Sequence, residues 1–234
     1  MVWGLKPDRV VKYDDHHWRL LAQLRRSAAE IMECLDRAGQ VSLLYGSVAR
    51  GDVDARSDVD IVILRPRLPP SAIEMVLKER FGDPLAREIA QATPLSAVKA
   101  YIHLGKRLTV SFPLVPLGER EEEFYRFGGC LDLSGVLEGK RTPGVNKELK
   151  LILPREWGHE EVSVRGREEV VAKLLGISLG TVLERVRVLT ERRVRGKSGL
   201  YVHYRLDVSE SIEEALVRLA RVKKGLRKKL RGMF

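Results

Sequence analysis

Two aspartates, Asp58 and Asp60, flank Val59 at the head of an apolar run, Val59-Asp60-Ile61-Val62-Ile63-Leu64. Side chains two apart on a strand leave it in the same direction. Both carboxylates can therefore ligate one or two divalent cations while Val59 faces a core. Upstream, a second apolar run, Val41 to Tyr45, stops at Gly46-Ser47. A glycine there lets the backbone approach a phosphate, with the Ser47 hydroxyl and nearby amides as donors at the start of a short helix. Asp-x-Asp alone is a weak signal, common on surface strands and loops. Its position after a Gly-Ser turn makes it informative, and the combined residue types suit metal-supported phosphate chemistry.

The surrounding pattern supplies elements to hold these groups. Trp18, Leu21, Leu24, Ala28, Ile31 and Leu35 recur at helical spacing between Asp14 or Asp15 as a cap and Gly39 as a stop, predicting one long amphipathic helix over 14–38. Val41–Tyr45 and Val59–Leu64 have strand character, the second ended by Pro66, Pro69 and Pro70. Residues 71–81 favour a helix. Ala97 to His103 and Leu108 to Leu114 form a hairpin across Gly105-Lys106-Arg107, and Glu119 to Phe127 is helical. Residues 128–150 read as a connector. The fold class expected is α+β, with domains at 1–150, 151–208 and 209–234.

The stretch Leu43-Leu44-Tyr45-Gly46-Ser47-Val48-Ala49-Arg50-Gly51, followed by Ser57-Asp58-Val59-Asp60-Ile61-Val62-Ile63, closely resembles the signature of the polymerase-beta nucleotidyltransferase superfamily, in particular its minimal, MNT-type members. The resemblance is tight over 41–64 and loose over 14–115. It implies a mixed sheet flanked by helices and a nucleoside triphosphate held between the Gly-Ser turn and the metal-binding strand. Gly46 and Ser47 would contact phosphate, and Asp58 and Asp60 would be the catalytic carboxylates holding Mg²⁺ or Mn²⁺. Arg50 either joins them on a phosphate or pairs with Asp52 or Asp54. Active members add a third carboxylate on a later strand. The strand suited to carry it is Leu108 to Leu114, and Ser111 occupies the expected position. Glu119, Glu121 to Glu123 and Asp132 lie beyond it, outside the expected pattern.

Downstream, Glu168 to Leu175, the turn Gly176-Ile177-Ser178 and Leu179 to Glu191 read as a helix-turn-helix. Arg192 to Gly199 followed by Leu200 to Leu206 reads as the wing of a winged helix. Such a module places its second helix in the major groove and its wing along the backbone. Thr181, Glu184, Arg185 and Arg187 are the outward candidates on that helix, and Arg192, Arg193, Arg195 and Lys197 lie at the start of the wing, with the basic residues and Thr181 directed at DNA or RNA. The chain then ends in a helix, Ile212 to about Leu230, crowded with Lys and Arg.

A formal charge of +10 and pI near 9.7 favour a polyanionic partner. Cys34 and Cys130 stand far apart, which encodes neither a disulfide framework nor a zinc site. No signal peptide or spanning segment is evident, so a cytoplasmic location without membrane attachment is expected. Few Asn and Gln among many Arg, Lys, Glu, Leu and Val suggest a thermophilic source. The expectation is a Mg²⁺-dependent nucleotidyltransferase moving a nucleoside monophosphate from a triphosphate to an acceptor. Two alternatives stay open: a catalytically inactive, nucleic-acid-binding regulator, and an antitoxin-like protein with a protein partner or a homodimer.

Overall fold

The computed structural model describes residues 6–196 and 199–230. In chain order its elements are β1 (Arg9–Lys12), α1 (Asp15–Arg37), β2 (Leu43–Tyr45), α2 (Ser47–Arg50), β3 (Val59–Val62), α3 (Pro70–Phe81), β4 (Ala86–Gln91), β5 (Lys99–Gly105) and β6 (Leu108–Pro113). There follow α4 (Glu119–Gly128), β7 (Cys130–Leu131), α5 (Leu133–Leu137), β8 (Gly144–Val145), β9 (Lys150–Arg155), β10 (Gly158–Ser163), α6 (Glu168–Leu175), α7 (Leu179–Arg195), β11 (Val202–Arg205), α8 (Ile212–Val222) and α9 (Lys224–Leu230). The architecture is α+β. The chain forms two compact units: Met1–Ala29, Leu44–Val59 and Glu122–Ser198 in the first, Glu30–Leu43, Asp60–Glu121 and Gly199–Phe234 in the second.

In the first unit, β1, β10, β9 and β8 make an antiparallel sheet in that order. Alternation sets its core: Leu151, Leu153, Val162 and Val164 point one way and meet Val171, Ala172, Val182 and Leu189 of α6 and α7. Helix α6 stops at Gly176, whose φ of 61° is the left-handed conformation that ends helices. Ser178 caps α7 by accepting from the Thr181 amide at 3.2 Å. In the same unit, α1 opens with Asp14 accepting from the His17 amide at 2.8 Å, and β2 pairs with β7.

In the second unit the strand order is β11-β4-β5-β6-β3. Register separates its faces. Ala100 lies opposite Phe112 and Ile89, and Ile102 opposite Val110, all fully buried; α3 packs on β5 and α8 on β4. The other face is polar, with Tyr101 opposite both Ser111 and Glu88, and His103 opposite Thr109. An Arg87–Glu74 ion pair at 2.8 Å ties β4 to α3. Helix α8 begins with a capping box between Ser211 and Glu214.

The expected wing is corrected here. Arg192 and Arg193 continue α7, which runs to Arg195, and residues 202–205 form β11, paired antiparallel with β4. Val202 is buried, so this strand gains more from joining a sheet than from a two-stranded hairpin exposed to water. Strand β4 lies in a stretch for which the sequence suggested no element. Likewise, residues 128–150 fold as β7, α5 and β8. Lys197 and Arg231 lie outside the described residues.

Candidate nucleotide and metal site

The Gly-Ser turn is held from several sides. Gly46 has φ 85°, a conformation costly for any residue with a Cβ, and its amide donates to Gly129 O at 3.0 Å. The turn feeds α2, a helix of four residues, too short to stand by propensity. Arg25 on α1 supplies the missing support. Buried itself, it donates from Nε to Val48 O and from Nη2 to Ala49 O, both at 3.1 Å, satisfying carbonyls a one-turn helix leaves open. Burial holds this guanidinium down at about 10, still charged at neutral pH. Thr142 N also donates to Ala49 O, and His17 Nε2 hydrogen-bonds with Gly51 O at 2.8 Å.

From there a short loop returns to β3. Ser57 Oγ accepts from the Asp54 amide at 2.9 Å, Ser57 N donates to Asp54 O, and Arg56 N donates to Asp54 Oδ1 at 2.6 Å. Ser47 Oγ donates to Ser57 Oγ at 3.2 Å. That bond joins the Gly-Ser turn to the residue immediately before Asp58. Asp58 is exposed and precedes β3; Asp60 is half-buried within it, between the buried Val59 and Ile61.

Arg50 does not take part as a phosphate ligand in this geometry. It is 5% exposed, its Nε and Nη2 pair with Asp52 at 2.9 and 3.0 Å, and Nη1 donates to Gly128 O at 2.6 Å. All three contacts fasten the loop internally. Burial raises the Asp52 carboxyl above its ordinary value, against the pull of Arg50.

Strand β6 lies beside β3, and Ile63 N donates to Ser111 O at 2.9 Å. Ser111 is buried, and its Oγ donates to Ile61 O at 3.3 Å. No carboxylate occupies that position. The acids that follow it in sequence serve other ends. Glu121 accepts from the amides of Ala97 and Gly118, Asp132 caps α5 through Gly135 N at 2.8 Å, and Glu123 is buried against Ser178. Glu119 is exposed. Among the described residues, no group of three or more His, Cys, Asp or Glu side chains is arranged to hold a metal.

The helix-turn-helix is present as α6, turn and α7, but two of its outward candidates point inward. Thr181 is 2% exposed and its hydroxyl donates to Glu123, which also accepts from Ser178 N at 2.8 Å and Ser178 Oγ at 2.6 Å. Arg185 lays its guanidinium over Phe124, 4.8 Å from the ring centroid, and its Nε is buried. Glu123 and Phe124 of α4, packed against the first turns of α7, account for this burial. Arg187, Arg192 and Arg193 are exposed; Arg195 closes α7.

Residues 26–111 match the model of the nucleotidyltransferase domain family. The match contains Gly46, Ser47, Asp58, Asp60 and Ser111, and it supports the nucleotidyltransferase superfamily and nucleotidyl transfer in general. No curated protein and no solved structure gave a match. Among the described residues, no helix is long and apolar enough to cross a membrane.

Proposed function

We propose that the chain is a Mg²⁺-dependent nucleotidyltransferase that also accepts Mn²⁺, moving a nucleoside monophosphate from a nucleoside triphosphate to an acceptor hydroxyl. The observation that carries this reading is the Ser47–Ser57 hydrogen bond, which couples a phosphate-type Gly-Ser turn to the residue immediately before Asp58, at the entry to β3 and Asp60. Two carboxylates fit Mg²⁺, which keeps several waters and takes its remaining ligands from substrate phosphates. Asp58 and Asp60 would hold it, and bound there it would offset charge developing on the phosphates. Ser47 and the first amides of α2 would orient the triphosphate. The acceptor oxygen bonds to the α-phosphorus as the bond to the β-phosphate's bridging oxygen breaks. Pyrophosphate leaves, and the hydroxyl proton passes to water because Ser111 cannot act as a base.

The α6–α7 module would recruit DNA or RNA through Arg187, Arg192 and Arg193, whose exposure suits contacts with phosphates. Incubation with labelled nucleoside triphosphates, Mg²⁺ or Mn²⁺, and pools of RNA, DNA and protein tests the reading. Labelling by the natural protein that exceeds that by Asp58→Ala supports transfer; equal labelling sinks it. The buried serine at 111 favours a second reading, a nucleic-acid-binding regulator that binds the triphosphate without turnover. Triphosphate binding and salt-dependent DNA or RNA binding, with no pyrophosphate release under any of these conditions, would select it.

A further inference from the structure

In the first unit, α1 and the segment from α5 to Arg141 enclose a cleft of about 380 Å³, a volume in the range of pockets that hold small molecules. Its walls are largely apolar, with Trp18, Leu21, Val136 and Leu137 among them. The charged groups it contains are all cations. Arg25, Arg26 and Arg141 line it, and among the described residues no acid does.

None of the three is neutralised by a described residue. Arg25 is 8% exposed; Nε and Nη2 are committed to Val48 O and Ala49 O, and Nη1 has no hydrogen-bond partner among the described residues. Arg141 lies over Trp18, 4.8 Å from the ring centroid, and donates from Nη1 and Nη2 to Gly158 O and Arg155 O, both uncharged. Arg26 is exposed and makes no ion pair or side-chain hydrogen bond among the described residues. Burial, and then the charge of Arg141, lowers the Arg25 guanidinium, so two like charges influence each other with no carboxylate in the lining to offset them. A buried cation in that position is costly unless an anion joins it.

The lining also limits what can enter. Its polar side-chain atoms, the guanidinium N–H groups and the Trp18 indole N–H, are donors only. Sugar hydroxyls or base amino groups would leave water and find no side-chain acceptor. A carboxylate or phosphate accepts from all of these donors, and the arginine fork suits either head. Apolar walls then take a hydrocarbon body.

We propose that this cleft binds a small amphipathic anion, a carboxylate or phosphate monoester on a compact hydrocarbon body, with its head on Arg25 and Arg26 and its tail against Trp18 and Leu137. It is an effector site. Arg25 is the side chain that holds the carbonyls of α2, so an anion on Nη1 fixes the fork that shapes the segment after Gly46-Ser47. The proposal goes beyond nucleotidyl transfer and stands whether or not the chain catalyses it.

Octanoate and octyl phosphate, kept below the concentrations at which they aggregate, are titrated by calorimetry into the full chain in chelator, with octanol, octylammonium and inorganic phosphate as controls. One or both octyl anions bind at least about tenfold more tightly than any control, and the tighter of the two identifies the head group. Arg26→Gln, which breaks no internal contact, weakens that binding about tenfold. Ala22→Glu, at an exposed position of α1, puts a carboxylate three and four residues before Arg25 and Arg26; it abolishes binding without lowering the melting temperature. Hydrogen exchange at the Arg50 and Gly51 amides, which close α2, slows on binding in the natural protein. A control that binds as tightly as both anions, or full affinity in Ala22→Glu, overturns the proposal. Binding that leaves those two amides unchanged places the anion away from Arg25 and overturns it too.

Discussion

Arg50 separates a structural role from a ligand role, and the two differ in what Arg50→Met does. The side chain makes three contacts: two with Asp52, at 2.9 and 3.0 Å, and one with Gly128 O at 2.6 Å. Its side chain is 6% exposed and that of Asp52 12%, so removing the cation strands a carboxylate in a poorly solvated site. Breaking a buried pair from one side costs about 3–5 kcal/mol. The pH dependence follows from Asp52. Its folded value is raised above 3.8 by burial, so folding disfavours the ionised form, and the contribution of Asp52 to stability is greatest below 3.8 and is lost as pH rises through that folded value. Without Arg50 the decline deepens. The penalty is thus largest near neutrality and shrinks as pH falls through the raised folded value, where Asp52 takes up a proton. Arg50→Met with Asp52→Leu recovers much of the loss by removing the stranded charge. Guanidinium unfolding at two pH values measures all of this, with triphosphate affinity followed in parallel. A loss of stability below about 1 kcal/mol together with a tenfold or greater loss of triphosphate affinity would refute the structural assignment.

Other outcomes follow from the same geometry. Asp58→Asn and Asp60→Asn remove metal-dependent triphosphate binding, read by calorimetry with and without Mg²⁺; Asp58→Asn, exposed, leaves the melting temperature within about 2 °C. Ser111→Asp buries a new carboxylate beside β3, so it lowers the melting temperature in chelator and regains part of the loss with Mn²⁺; a drop that metal does not alter would argue against a metal next to that strand. Charge reversal of Arg187, Arg192 and Arg193 lowers affinity for duplex DNA or RNA and flattens its salt dependence by about one log unit per lost phosphate contact, whereas Arg185→Met leaves the slope unchanged. Glu123 is buried, which by itself raises its carboxyl, yet the hydrogen bonds from Ser178 and Thr181 bring it below the ordinary 4.5. Its contribution is therefore complete above pH 4.5 and is lost as pH falls through the folded value, so Glu123→Gln is destabilising at pH 7 and the difference closes in acid.

What was legible in the sequence was local. The 3.6-residue period of α1, the period-2 runs of β5 and β6, and the Gly-Ser and Asp-x-Asp order each depend on neighbours in sequence, and each lies where the pattern puts it. What was not legible depends on partners distant in the chain. Thr181 and Arg185 sit at positions that helical spacing allows to face water; Glu123 and Phe124, more than fifty residues earlier, turn them inward. Residues 202–205 alternate as well as any wing strand, but β4 offers them a ladder, and β4 itself, Ala86–Gln91, is too polar at Arg87, Glu88 and Gln91 to announce itself. Arg25 gave no signal at all, because an arginine on an amphipathic helix is ordinarily solvated; only the four-residue length of α2, with carbonyls in need of donors, explains its burial. The motif residues and the residues that hold them are therefore different sets. Gly46, Ser47, Asp58 and Asp60 are the residues proposed to carry chemistry, while Arg25, Arg50 and Asp52 fix a turn too short to hold its own shape. A substitution in the second set changes the geometry of the first without touching a phosphate.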